Sequence, residues 1–74
     1  MKINVCSKDY GEIRQFNHED FNKSIRKAKY LTKKMSQFGN NFLYGIDFES
    51  YPCDNIKTFE NFNSFKTALK EVCK

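Results

Sequence analysis

The side chains best suited to act on a substrate are few: one histidine, His18, and three cysteines, Cys6, Cys53 and Cys73. A Cys6 thiol activated by the His18 imidazole is imaginable if a first strand lies beside the helix start that His18 precedes. No third group is placed by motif to orient the ring, and no oxyanion pocket is signalled. His18 beside Glu19 and Asp20 therefore reads as an exposed first-turn residue. Three widely spaced cysteines, without a CxxC pair, suit neither a disulfide-stapled mini-protein nor a zinc centre. They are expected to be reduced and inert, with Cys73 near enough to the end to crosslink two chains in air. Asp47, Glu49 and Asp54 surround Pro52 without the glycine-centred spacing of a calcium loop, so they read as solvation of a loop. Gly11, Gly39 and Gly45 are too scattered to cradle a phosphate. The expectation is a protein that is not an enzyme, with no cofactor, no metal and no small-molecule substrate.

Binding chemistry is better represented. Residues 19–37 hold six cations and two acids, and the remaining 55 residues balance to zero, so the whole formal charge of +4 lies in that stretch. At ~100° per residue, Phe21, Ile25, Ala28, Thr32 and Met35 share one helical face. Lys23, Arg26, Tyr30, Lys33, Lys34 and Gln37 share the opposite face, with Lys27 adjoining and Tyr30 near the centre. A basic face with a central aromatic is a footprint for an acidic protein surface or for phosphate. Lysine also simply solvates an exposed helix, so the bland reading stands beside these two. Nucleic acid is disfavoured by eleven Lys against two Arg, since Arg is the bidentate reader of phosphate and guanine. No RNP-type aromatic motif, GxxG loop or zinc-finger spacing appears.

The elements that position this face follow from periodicity. At 74 residues and 8.8 kDa the chain holds one small domain, 1–74, with a thin core that eight Phe and four Tyr must fill. Ile13-Arg14-Gln15-Phe16 returns as Ile56-Lys57-Thr58-Phe59, 43 positions on, each followed by a helical pattern. Strand-like runs precede both tetrads, at Lys2–Ser7 and at 41–48, where Phe42, Tyr44, Ile46 and Phe48 alternate strictly. The chain thus reads as tandem β-β-α units, 1–39 and 40–74, forming an α+β fold. A four-stranded antiparallel sheet with two helices on one face buries both apolar stripes. Asn17 is the expected N-cap, with Glu19 and Asp20 in the first turn and Phe16 and Phe21 as a hydrophobic staple. The first helix should run to about Gln37 and stop before Gly39. Phe62, Phe65, Leu69 and Val72 form the stripe of the second. Tyr10, Leu43 and Tyr51 fall outside the core. No run of ~18 apolar residues could span a bilayer, and the start, MKINVCSKDY, lacks an apolar signal region, which predicts the cytoplasm.

On the repeated Ile-basic-polar-Phe tetrads and the segment Lys57–Val72 (KTFENFNSFKTALKEV), the chain resembles small phage-encoded accessory proteins, including anti-CRISPR and other host-takeover inhibitors. The resemblance implies a stoichiometric inhibitor that occupies a surface of a larger host protein or nucleoprotein complex. Many such inhibitors are acidic DNA mimics, and this chain is basic. That departure points to covering an acidic protein patch or competing for a nucleic-acid site; a small nucleic-acid-binding domain using the same helix is the alternative.

Overall fold

The computed structural model describes residues 1–47 and 56–72. In β1 (Lys2–Ser7), Ile3, Val5 and Ser7 are buried while Lys2, Asn4 and Cys6 on the other side are half-buried, as an alternating strand requires. Gly11, at φ 68, closes the turn, its N–H donating to Ser7 O at 2.8 Å, and the chain returns as β2 (Ile13–Asn17). Then come α1 (Phe21–Lys34), a 3₁₀ turn over Met35–Phe38, β3 (Phe42–Asp47), β4 (Ile56–Phe59) and α2 (Phe62–Val72). The sheet order is β2-β1-β3-β4, and each neighbouring pair is antiparallel.

Both helices cover one face of this sheet. Ile3, Val5, Phe16, Tyr44 and Ile46 from the strands meet Ile25, Ala28 and Met35 from the first half and Phe65 and Leu69 from α2 in a single cluster. Within it the Phe65 ring stacks on Tyr44, with centroids 5.2 Å apart. Phe42, Tyr44 and Ile46 line the helix side of β3 as their alternation predicts. Phe48, the fourth of that row, lies outside the described residues, as do Glu49, Tyr51, Pro52, Cys53, Asp54 and Cys73.

The tandem units are present, but the period is not uniform. Ile13 and Ile56 begin the second strands 43 positions apart, whereas Phe21 and Phe62 begin the helices 41 apart. From Phe16 to Phe21 is five positions and from Phe59 to Phe62 is three, so the second unit enters its helix two residues sooner.

That extra length in the first unit corrects the expected helix start. Asn17 is a strand residue, paired in register with Lys2, and His18 N–H donates to Met1 O at 2.9 Å. The chain therefore stays extended until Asp20, whose carboxylate accepts from Lys23 N–H at 2.8 Å and caps α1. Glu19 and Asp20 precede the helix, and its first turn contains no acid. Phe21 becomes the first helical residue, so the staple spacing is lost; Phe16 is buried and Phe21 half-buried against the same core. The far end also differs, because α1 stops at Lys34 and tightens into the 3₁₀ turn before Gly39, at φ 116. In the second unit Asn61 caps α2, accepting from Ser64 N–H at 2.7 Å.

Candidate functional site

With Asp20 outside the helix, α1 carries six cations and no acid in 14 residues. Lys23, Arg26, Lys27, Tyr30, Lys33 and Lys34 are all exposed on its outer surface, and Tyr30 keeps 58% of its area in solvent. From Lys23 to Lys34 the helix rises ~17 Å at 1.5 Å per residue. Gln37 is exposed too, but it stands on the 3₁₀ turn, where three residues per turn put it above Lys34 and not in the Tyr30 stripe.

The cations are not equivalent. Lys27 Nζ lies 5.2 Å from the Phe16 ring centroid and Lys29 Nζ 5.5 Å from that of Phe62, so each roofs an aromatic at one flank of α1. Lys34 Nζ lies 5.8 Å from the Tyr30 centroid. Lys23 Nζ is 3.9 Å from Glu19 Oε2, a loose and exposed pair. Arg26 and Lys33 have no ion pair or ring contact among the described residues, and they bracket Tyr30, four positions before it and three after. Sequence spacing located this face, but not the use of Lys27 and Lys29 as roofs, which depends on how far the helix sits from each flanking ring.

Beside the outer face, a groove of about 310 Å³ runs between the helices, lined by Lys29, Thr32, Lys33, Tyr44 and Phe62. The Thr32 hydroxyl donates to Ala28 O at 2.9 Å, so its 2.9 Å contact with Tyr44 Oη is one in which the tyrosine donates. Thr32 was legible as a core-facing position; its partner across the groove was not.

The candidate catalytic pair is not assembled. His18 is half-buried, correcting the exposed first-turn reading, and its Nδ1 is 2.8 Å from Oγ of Ser24, itself only 2% exposed. Cys6 pairs with Ile13, four ladder positions from the Asn17 end that leads to His18, or ~13 Å along the strand. Its thiol is also on the sheet face away from the helices. Cys6 is a free thiol. Among the described residues no three His, Cys, Asp or Glu side chains are grouped to hold a metal ion. No described helix is long and apolar enough to cross a membrane. Of the apolar residues expected outside the core, Tyr10 is 71% exposed with its ring edge-on to Phe38, and Leu43 is half-buried on the outer sheet face.

No family model, curated protein or solved structure matches this chain.

Proposed function

We propose that this chain is a non-enzymatic binding protein whose outer α1 face covers an acidic surface on a larger protein partner. The observation that carries the reading is internal to the molecule. The two helices occupy the same place in their units, so positions 41 apart correspond: Lys23 with Ser64, Arg26 with Thr67, Lys27 with Ala68 and Tyr30 with Glu71. At these positions α2 has Ser64, Thr67 and Glu71, with Ala68 half-buried against the core, and its lysines are two, Lys66 and Lys70, against the six cations of α1. The fold alone therefore does not call for the cations of α1.

A second argument is energetic. Like charges three or four residues apart on a helix destabilise it by ~0.2–0.5 kcal/mol per pair. Lys23 with Arg26, Arg26 with Lys29, Lys23 with Lys27 and Lys29 with Lys33 are all so spaced. In a small domain of marginal stability, an uncompensated row of this kind favours a partner that neutralises it. Protein is favoured over nucleic acid because Arg26 is the single arginine of the face and a lysine already approaches the Tyr30 ring. The resemblance to phage-encoded inhibitors adds the role: blocking a host complex by occupying its surface in the cytoplasm.

The test is affinity purification from the native host, with and without nuclease, using the native chain and a variant with Lys23, Arg26, Lys33 and Lys34 changed to Glu. The reading requires a nuclease-resistant protein partner that the variant fails to retain. Duplex DNA serves as the contrast. A log–log salt slope near −3.6, as four phosphate contacts give at about −0.9 each, would transfer the face to nucleic acid.

A further inference from the structure

The interhelical groove has a chemistry distinct from the face beside it. Its floor is the edge-to-face pair of Tyr44 and Phe62, with centroids 5.4 Å apart and planes at 79°. The hydroxyl protons of Tyr44 and Thr32 are both committed, to Thr32 Oγ1 and Ala28 O respectively, so the floor offers carbon and no free donor. The rim is cationic, with Lys29 beside Phe62 and Lys33 without an ion pair among the described residues. A volume of about 310 Å³ lies at the bottom of the range for small-molecule sites, roughly 300–1,000 Å³, and suits a single side chain better than a cofactor. An apolar centre ringed by charge is the arrangement of an interface anchor pocket.

We propose that this groove receives one leucine or phenylalanine side chain from an acidic protein segment, whose flanking carboxylates pair with Lys29 and Lys33. The proposal rests on the reading of α1 as a docking face and names the sequence character of what docks there. Charge complementarity selects the occupant. A second copy of this chain would bring the same cations against themselves. A nucleic acid would find two lysines and no arginine at this rim, and arginine is the bidentate reader of phosphate.

The experiment titrates the isotope-labelled full chain, at low salt, with two blocked hexapeptides: Glu-Glu-Leu-Phe-Glu-Glu and Glu-Glu-Ala-Ala-Glu-Glu. Amide and methyl shifts are followed by NMR. The proposal requires the first peptide to bind at least ~10-fold more tightly, the effect of burying one large apolar side chain, and to shift Thr32, Tyr44 and Phe62. Lys33→Glu should weaken both peptides while leaving the spectrum of the free chain dispersed and folded. Equal affinities, with shifts confined to Arg26, Tyr30 and Lys34, would overturn the groove and leave the α1 face standing. Silence with both peptides would overturn both readings. An oligothymidylate that shifts Thr32, Tyr44 and Phe62 more strongly than the first peptide would overturn the proposal in favour of a nucleic-acid occupant.

Discussion

Reversing one charge on α1 should make the protein more stable. Arg26 is exposed and has no ion-pair partner among the described residues, with Lys23 three positions before it and Lys29 three after. Each like-charged pair opposes the helix by ~0.2–0.5 kcal/mol, and an opposite-charged pair supports it by a similar amount. Arg26→Glu converts two repulsions into two attractions, for a gain of about 1 kcal/mol. Arg and Glu have nearly equal helix propensities, so the change isolates the charge. In a domain of this length, 1 kcal/mol moves the melting temperature by roughly 4–8 °C. Thermal unfolding followed by circular dichroism, at ~20 mM and at ~1 M salt, reads this directly. The gain should be present at low salt and mostly gone at high salt, where the screening length falls to ~3 Å. An unchanged or lowered melting temperature at low salt would refute the reasoning. The cations would then cost the fold nothing, and their concentration on α1 would no longer argue for a partner.

Three further outcomes follow from the packing. Asp20→Ala should lower stability by ~1 kcal/mol through loss of the α1 cap, whereas Asn17→Ala should change it by less than ~0.5 kcal/mol; urea unfolding of both discriminates the observed helix start from the one the sequence suggests. Phe65→Ala, at a fully buried ring, should cost about 3–5 kcal/mol and leave little folded protein, while Tyr30→Ala should stay within ~0.5 kcal/mol in the same assay. Gly39→Ala should destabilise the junction before β3 and lower the melting temperature, because a Cβ there meets the Asp9 carboxylate and φ 116 is a conformation L-residues avoid.

What the sequence made legible was whatever repeats along one element. Alternation located β1 and β3, the Phe62-Phe65-Leu69-Val72 spacing located α2, and the charge count located the outer face of α1. What it hid depends on partners distant in the chain. Asn17 has the chemistry of a cap, but the ladder with Lys2 holds it in β2, and the start of the helix passes to Asp20. His18 looks exposed beside two acids, yet the same extension of β2 turns its ring toward buried Ser24. The groove could not be foreseen, since Thr32 and Tyr44 meet only once α1 is laid over β3.

The comparison of the two units also explains how α1 tolerates its charge. At the core-facing positions where α2 places Phe65 and Leu69, α1 has Ser24 and Ala28. The rings that touch Tyr44 or Phe65 in the core, Phe59 and Phe62, come with them from the second unit, whereas the Tyr10–Phe38 pair of the first unit involves a largely exposed tyrosine. Aromatic burial is the largest per-residue contribution available to a core this small. The first unit still supplies Ile3, Val5, Phe16, Ile25, Ala28 and Met35 to the buried core; what is small is α1 itself at the two positions that match Phe65 and Leu69. A helix that places small side chains at those two positions loses less packing if it shifts, so it can carry a self-repelling outer face at lower risk while the ring cluster around Tyr44 and Phe65 holds α2 to the sheet. This division predicts an asymmetry under mutation. Truncation of Phe65 or Leu69 should unfold the whole chain, whereas the four-residue Glu variant of the outer α1 surface should keep a cooperative thermal transition in circular dichroism.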